Sequence, residues 1–372
     1  MKTNCANLNT GNIYAFFKGR VALYAILKAI GVKARDEIIL PGFTCVVVPN
    51  AIIYLGAKPV YVDINSETFN IDPQLIEEKI TEKTKAIIAQ HTFGIPADMD
   101  KILYIAKKHN LFVIEDSCHA LGSKYKGKYV GSFGDAAFFS SQWSKPVTTG
   151  LGGWAVVNNS VIRDNMEKIV LEFQKPAVRE NIMLRLQYLA YLMFSRPSLF
   201  WFAQNTYRAL SKVGMTIGSS LPEELECRMP DGYKKRMSTW QKALLERKLA
   251  EIDKTIEQRR HLTSLYEIIL KQKGFRTVKK VEGNEPVFLR YPLLVRNKKK
   301  VLLEARKRCI ELGDWFLSPV HPNSDGWDKV NYQKGICPVA EEVCDHIINL
   351  PIYSKIRKRD ISKIVEFLES YA

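Results

Sequence analysis

The sequence predicts an α/β protein with a large domain, in which a mostly parallel sheet lies between helices, and a smaller C-terminal α+β domain. Between residues 21 and 153, short apolar runs alternate with segments of helical spacing. A long, charged, periodic segment at 240–270 separates this region from the rest of the chain. We therefore expect a large domain over 1–240, with a helical insertion at about 180–220, and a small domain over 241–372.

Hydrophobic periodicity and turn signals predict the individual elements in order. Periods near 3.6 residues indicate helices, and short apolar runs bounded by glycine, proline or aspartate indicate strands. The expected helices cover 22–30, 46–55, 73–80, 99–109, 240–270, 298–312 and 361–371. The expected strands cover 36–40, 59–63, 86–90, 111–115, 136–140 and 288–295.

Polar side chains stand at or just after the carboxyl ends of four expected strands. They are Asp63, His91, Asp116 and Ser140. Parallel strands bring these ends to one edge of the sheet, where open α/β sheets bind their ligands. The clustering predicts a single active site at that edge.

The composition is that of a globular protein with an unusual charge. Of 372 residues, 46% are hydrophobic and 25% charged, and an excess of Lys and Arg gives a formal net charge of +16. The basic residues are spread along the chain without a nucleic-acid-binding motif, which argues against nucleic acid as a partner. The charge fits acidic small substrates or an anionic membrane surface, and a generally basic host composition explains it as well.

The cysteines and the N-terminus predict the compartment. The seven cysteines are scattered and include no CxxC pair, so they indicate neither a disulfide framework nor a metal site. Residues 1–5 contain no apolar signal segment, and we expect a cytoplasmic protein.

An apolar and aromatic stretch occupies 182–202, with Arg185, Arg196 and Pro197 within it. These interruptions make it a poor membrane-spanning segment. We expect a buried helical pair or a dimer contact here, and a helix lying in a membrane interface is the alternative.

One lysine has neighbours that suit a particular cofactor. An apolar strand leads to Asp116, a second ends at Ser140, and Lys145 follows shortly before the glycine-rich turn 150–153. A lysine amine can attach to an aldehyde, a carboxylate can pair with a protonated pyridine nitrogen, and a hydroxyl can bind phosphate. These three groups together meet the requirements of pyridoxal 5'-phosphate (PLP).

A series of short motifs supports this interpretation. They occur in order at 36–41, 56–63, 84–88, 94–100, 115–116, 236–238 and 349–351. In this order they resemble the PLP-dependent sugar aminotransferases of the DegT–StrS type, within the aspartate aminotransferase superfamily of fold type I. The resemblance runs from about Gly19 to the C-terminus and implies a sheet of the seven-stranded type.

The resemblance implies a role for each residue around Lys145. Lys145 corresponds to the lysine that holds the cofactor and then acts as general base and acid. Asp116 would pair with the pyridinium nitrogen, His119 would lie near the ring hydroxyl, and Ser140 would contact the phosphate.

The other half of the phosphate site departs from the common family pattern. Many relatives have Ser-Gly-Thr where this chain has Lys18-Gly19-Arg20, before a helix expected to begin at Val21. Gly19, Arg20 and Val21 would bind the phosphate at the start of this helix, and the Arg20 side chain would add an ionic contact. An outward-pointing Arg20, with the phosphate held by amides alone, is the alternative.

A second departure is Cys45, which stands where relatives carry the aromatic residue that covers the cofactor ring. Phe43, His91 or Phe93 would then have to cover it. The resemblance also indicates His91 and His321 as residues that contact the substrate.

The segment 232–237 resembles a loop that reaches the cofactor phosphate of the neighbouring subunit. Relatives often have Asn where Lys234 stands, and a lysine would serve the same electrostatic purpose. The resemblance thus implies a homodimer with shared active sites, although a solvated basic turn would have the same residue types.

The implied activity is transfer of the amino group of glutamate to a nucleotide-linked keto sugar, in the synthesis of amino sugars for surface polysaccharide or a glycosylated metabolite. A sugar dehydratase of the same fold is one alternative, but such relatives have histidine in place of the lysine. A non-catalytic regulator or membrane-surface protein is another, which the joint presence of Lys145, Asp116 and Ser140 disfavours.

Overall fold

A computed structural model of the chain describes residues 12–194, 205–207, 209–210, 216–323 and 326–371. The strands are β1 (Ile13–Phe16), β2 (Glu37–Pro41), β3 (Thr44–Cys45), β4 (Lys58–Val62), β5 (Thr84–Gln90), β6 (Phe112–Asp116), β7 (Lys124–Tyr125), β8 (Lys128–Tyr129), β9 (Ala136–Ser140), β10 (Gly153–Val157), β11 (Asn284–Glu285), β12 (Arg290–Leu294), β13 (Val320–His321) and β14 (Ile347–Pro351). The main α-helices are α1 (Gly19–Ile30), α2 (Val47–Ile53), α3 (Met99–Lys108), α4 (Ser160–Leu171), α5 (Val178–Phe194), α6 (Pro222–Leu225), α7 (Thr239–Ala250), α8 (Ile252–Gln272), α9 (Lys298–Lys307), α10 (Pro338–His346) and α11 (Lys358–Glu369).

Seven strands form the central sheet, in the order β1-β10-β9-β6-β5-β2-β4. From β9 to β4 the neighbours pair in parallel, whereas β10 is antiparallel to β9 and β1 is antiparallel to β10. Successive side chains of β2 pack on opposite faces: Ile38 and Leu40 join the cluster that contains α1, and Ile39 joins the cluster that contains α3. Coverage on both faces explains why these strands are continuously apolar, and it confirms the predicted fold class.

The C-terminal part is tied to the carboxyl edge of this sheet. Strands β12 and β14 pair antiparallel, and β13 pairs in parallel with β3, placing His321 opposite Cys45. Asp63, at the end of β4, accepts the amide hydrogens of Val339 and Ala340 at 2.8 and 2.9 Å. Asp63 therefore caps the start of α10 and is not part of the predicted ligand site.

Three expected helices differ from the structure by more than a few residues. The segment 73–80 forms two short 3₁₀ turns, Pro73–Leu75 and Glu77–Lys79, because Ile80 is already extended. The segment 240–270 is two helices, since Glu251 leaves the helical conformation at φ −106° and ψ 12°. The helix expected at 298–312 ends at Lys307, and Cys309 has a positive φ of 55°.

Helix α5 exposes most of its apolar side chains. Only Leu184 and Tyr188 are buried, while a stripe on the opposite face is open to solvent, formed by Val178, Ile182, Leu186, Leu189 and Met193. Within the described residues no helix is long and apolar enough to cross a membrane. The rest of the predicted apolar segment, 195–202, lies outside the described residues.

Candidate active site

Lys145 lies beyond β9, in a turn that its own amide closes on the carbonyl oxygen of Gln142 at 3.0 Å. Burial of the amine lowers the pKa of Lys145, although the nearby Cys118, Asp116 and Cys45 act in the opposite direction. Its Nζ atom is 5.3 Å from the ring centroid of Trp315. A lysine amine with a lowered pKa beside an aromatic ring is suited to nucleophilic attack on a carbonyl group.

Asp116, the last residue of β6, is the carboxylate that is predicted to pair with the ring nitrogen of the cofactor. It is 7% exposed, and its Oδ1 atom accepts the amide hydrogen of Cys118 at 3.0 Å. Burial raises the pKa of Asp116, and the Cys118 amide and the charge of Lys145 offset this only in part. A buried carboxyl of this kind would be stabilised in its charged form by a cationic ring nitrogen.

His119 lies in a stack of aromatic rings above the sheet edge. Its ring stacks on Phe93 at 6.3 Å and on Trp315 at 5.4 Å between centroids, with both interplanar angles at 24°. Burial, with the nearby charges of Lys145 and Arg290, lowers the pKa of His119 well below its usual value. Because Nδ1 accepts the Phe93 amide at 3.3 Å, the neutral ring carries its proton on Nε2 and can donate it.

The start of α1 abuts Ser140 because glycines remove the side chains that would separate them. A Cβ on Gly19 would lie 3.0 Å from the Phe139 carbonyl oxygen and 3.2 Å from the Ser140 Cβ. A Cβ on Gly153 would lie only 2.3 Å from the Gly19 Cα. The helix begins at Gly19, two residues before the predicted start, and it has neither a side-chain cap nor an acidic residue in its first turn. These features fit an anion site that the Ser140 hydroxyl completes.

Arg20 forms a salt bridge with Glu224, a partner that the sequence did not predict. Its Nη1 atom is 2.5 Å from Glu224 Oε1, and Lys18 Nζ is 3.6 Å from the other carboxylate oxygen. Burial alone would raise the pKa of Glu224, but Arg20 and Lys18 hold it below its usual value. Ser220 lies 3.4 Å from Arg20 Nη2. The outward alternative therefore does not describe Arg20, which is buried and paired within its own chain.

The basic loop that carries Lys234 runs beside β1. Lys235 accepts the amide of Phe17 through its carbonyl oxygen, and Met237 donates its amide to Ala15, each at 3.1 Å. Tyr233 donates its hydroxyl to the Arg20 carbonyl oxygen at 3.1 Å. The Lys234 side chain is exposed, so it points to solvent from a well-anchored backbone.

His91 is not available to a substrate. It is fully buried, its Nε2 is 3.1 Å from Glu115 Oε2, and its Nδ1 accepts the Ala97 amide at 3.0 Å. Glu115 in turn accepts three amide hydrogens, from Gly131, Phe133 and Gly134. With both ring nitrogens engaged in the interior, His91 supports the fold, contrary to the expectation that it contacts substrate or covers the cofactor ring.

His321 does lie at the edge of the site. Its ring is 5.7 Å from that of Trp315, and its Nδ1 accepts the Leu317 amide at 3.2 Å. Burial lowers the pKa of His321 to about 4, so the ring is neutral near pH 7. Its carbonyl oxygen accepts the Val46 amide at 2.7 Å, which fixes it beside Cys45.

Comparison with known proteins identifies the family of the chain. A model described as the DegT/DnrJ/EryC1/StrS aminotransferase family matches residues 4–194 and 198–369. The chain belongs to this aminotransferase family. It is 33% identical over 350 residues to an uncharacterized protein of Methanocaldococcus jannaschii, a match that covers 92% of this chain and 81% of that protein.

Two further proteins resemble the chain. Over 146 residues the chain is 50% identical to GDP-perosamine synthase of Escherichia coli O157:H7, which is 39% of this chain and 40% of that protein. A Streptococcus pneumoniae protein solved in a PLP form has a TM-score of 0.75 and 22% identity, over 96% of this chain and 86% of that one. At this identity the structural likeness shows the shared aminotransferase fold.

Sequence reasoning missed Trp315, Arg290 and Glu224. Trp315 and Arg290 belong to the C-terminal part of the aminotransferase, far from Lys145 in sequence, and only the tertiary fold brings Lys145 and Arg290 to the two cation–ring contacts with Trp315. No local pattern marks them. Glu224 follows Leu221-Pro222, a helix-start signal that could have placed it in a first turn, but not against Arg20.

Proposed function

We propose that this protein is a PLP-dependent sugar aminotransferase that transfers the amino group of glutamate to a nucleotide-linked keto sugar, in amino-sugar synthesis for surface polysaccharide. The observation that carries the proposal is that Asp116 and Ser140 end the neighbouring parallel strands β6 and β9, and that the Lys145 amine lies close enough to Asp116 for their charges to interact. Family membership supports the same reaction class.

The residues present fit PLP. Gly19, Arg20 and Val21 at the start of α1 would hold its phosphate together with Ser140, because this helix end lacks a cap of its own. Asp116 would pair with the ring nitrogen, and His119 would donate from Nε2 to the ring oxygen. When bound, PLP supplies an electron sink that stabilises negative charge at the carbon next to the transferred nitrogen.

Lys145 would attach the cofactor and then move the proton. Its lowered pKa keeps a larger fraction of the amine uncharged near neutral pH than an exposed lysine would have. An uncharged Nζ can accept a proton from the substrate carbon and return it to a neighbouring atom. The rings of Trp315 and His119 would exclude water around this transfer.

The acceptor and the assembly are further parts of the proposal. An acidic nucleotide diphosphate suits a chain with a net charge of +16, and the resemblance to GDP-perosamine synthase supports a nucleotide-linked sugar. We propose a homodimer in which the exposed Lys234 of each subunit reaches the cofactor phosphate of the other. The six described cysteines are free thiols, which supports a cytoplasmic setting.

The first test is an absorbance spectrum of the purified protein with PLP, before and after glutamate. We expect a visible band from lysine-bound cofactor that disappears when glutamate is added, and its absence in Lys145→Ala. The control is Lys128→Ala, which removes an exposed lysine. No band in the wild type would refute the cofactor assignment, and a glutamate-responsive protein that aminates no GDP- or UDP-linked keto sugar, followed by mass spectrometry, would refute the acceptor.

A further inference from the structure

The outer face of α5 carries a continuous apolar row. Its members recur every three or four positions, so their side chains lie on one side of the helix over roughly 22 Å. Each is more than half exposed: Val178 75%, Ile182 53%, Leu186 62%, Leu189 56% and Met193 60%. These side chains form the apolar stripe. Single apolar residues at a surface are ordinary, whereas a contiguous set of this kind marks a contact with another surface.

The opposite face of α5 is packed against aromatic rings, so the apolar stripe is held outward. The Tyr188 ring lies 5.7 Å from that of Trp240, and the Tyr191 ring lies 5.4 Å from that of Trp143. Trp143 stands shortly before Lys145, and the helix therefore packs on the turn that carries the reactive amine. Rotating α5 to bury its stripe against its own chain would break these contacts.

Positive charge flanks the apolar stripe near its start. Arg179 and Arg185 are exposed, and the Cζ atom of Arg185 lies 5.5 Å from the ring centroid of Trp240. Within α5, which is described throughout, Glu180 is the only acid, and its carboxylate is 2.7 Å from Lys235 Nζ. The helix thus presents two cations and an acid that is already paired.

A second group of cations adjoins the end of α5. Lys355 Nζ donates to the carbonyl oxygen of Leu192 at 3.3 Å, which brings the chain before α11 beside the helix. Three exposed cations follow Lys355, and with it they form the basic cluster: Arg357, Lys358 and Arg359. The acid next to them, Asp360, accepts the Arg357 amide at 2.9 Å and is 4.0 Å from Arg359 Nε. A single carboxylate leaves most of the positive charge of the cluster uncompensated.

The charges distinguish between two kinds of surface that could cover the apolar stripe. In a symmetric pair of copies the same patch faces itself, so the cations at both ends of the stripe would meet like charges. An anionic bilayer accommodates both features at once, because apolar side chains enter the acyl boundary while Lys and Arg side chains reach the phosphates. Each cation close to such a surface adds to the affinity.

We propose that α5 docks on the surface of an anionic lipid bilayer, with the apolar stripe in the acyl boundary and the basic cluster at the headgroups. The helix lies parallel to the surface, because the stripe runs along its length. The inference goes beyond the proposed function and does not depend on it, since it uses no residue that would hold the cofactor.

Co-sedimentation of the full-length protein with lipid vesicles tests the apolar stripe. Vesicles of phosphatidylcholine and phosphatidylglycerol in equal parts are negatively charged, and vesicles of phosphatidylcholine alone are not. We expect the wild type to bind the charged vesicles, and Leu186→Gln/Leu189→Gln to bind them about tenfold more weakly or less, because two side chains leave the acyl boundary. The control is Ile268→Gln/Leu303→Gln, which changes two apolar side chains of similar exposure on α8 and α9.

The same assay tests the basic cluster. We expect Arg357→Gln/Arg359→Gln to weaken binding to charged vesicles roughly tenfold, with weak binding to neutral vesicles unchanged. Added salt should weaken the binding of the wild type more than that of this variant. The control is Lys128→Gln/Lys299→Gln, which removes two exposed cations from β8 and α9.

Each outcome decides the proposal. A wild type that stays in solution with charged vesicles would overturn it, as would equal binding by the wild type and Leu186→Gln/Leu189→Gln. If that variant instead loses self-association in sedimentation, and no vesicle binding occurs, the apolar stripe belongs to an interface between copies. Thermal melting shows that each variant is folded. The assay needs neither cofactor nor substrate, so its result stands apart from the success or failure of the proposed function.

Discussion

Glu224 is the residue on which the charges at the start of α1 depend. Its carboxylate is 1% exposed and lies against both Arg20 and Lys18. Burial and the charge of Arg20 together lower the pKa of Lys18 to about 8, although Glu224 opposes both effects. Without Glu224, the buried Arg20 and the nearly buried Lys18 would face each other at the N-terminus of α1, which is the positive end of the helix dipole.

The first prediction follows from the sign of the Glu224 shift. Its folded-state pKa lies below the ordinary value of 4.5, so its charge stabilises the fold above that pH, and the stabilisation is lost as the pH falls through the folded-state pKa. Glu224→Gln should lower the free energy of unfolding at pH 7 by roughly 3 kcal/mol. The difference from wild type should shrink below about pH 4.5.

Urea unfolding followed by circular dichroism at pH 7, 5 and 4 measures this difference. Glu226→Gln is the control, because Glu226 is half-exposed and pairs with Lys329 at the surface. A difference between wild type and Glu224→Gln that stays constant over this pH range would contradict the charge pairing.

At the scale of the element, the contact between α1 and β10 positions the proposed phosphate site. The two backbones approach so closely that neither Gly19 nor Gly153 has room for a side chain. The start of α1 can therefore lie against Ser140 because neither glycine carries a side chain that would separate the two backbones. This is a packing constraint, and its role is to place amide hydrogens at a point where an anion can meet them.

Gly153→Ala tests that constraint. We expect the start of α1 to move away from Ser140, with at least a tenfold loss of PLP affinity and a lower melting temperature, because the new methyl group would overlap Gly19 backbone atoms. Gly31→Ala is the matched control: Gly31 has a φ of 83° but no atom within 4 Å, so its cost of about 1 kcal/mol is local strain.

Absorbance titration with PLP and thermal melting distinguish the two variants. Equal PLP affinity in Gly153→Ala and Gly31→Ala would show that the helix start does not govern the cofactor site.

The strand ends show how far sequence could predict the site. Asp116 and Ser140 follow apolar runs and do lie at the site, because sheet topology is readable from alternating strands and helices. Asp63 and His91 follow the same pattern, yet one caps α10 and the other faces Glu115. Their partners are fixed by tertiary packing, and nothing in the local sequence distinguishes a buried structural pair from an open functional group.

At the scale of the whole molecule, the proposed exchange of Lys234 between subunits can be tested by mixing two inactive variants. Lys145→Ala and Lys234→Ala chains would be unfolded together and refolded. In a mixed dimer with crossed loops, the Lys145 of one chain meets the Lys234 of the other, and one complete site forms. We expect activity well above that of either variant alone.

Sedimentation of the mixture measures the dimer, and refolding each variant by itself is the control. If Lys234 serves its own chain, no mixed dimer has a complete site, so the absence of restored activity with dimers present would contradict the crossing.

The loop that carries Lys234 also has a consequence for solubility. Strand β1 is the outermost strand of the central sheet on its side, and its open side is where Phe17 and Ala15 bond to Lys235 and Met237. An uncovered strand edge of this kind is a template on which another chain can add. The loop thus occupies the hydrogen-bonding positions through which sheets of separate molecules would join, and changes that loosen it should favour aggregation.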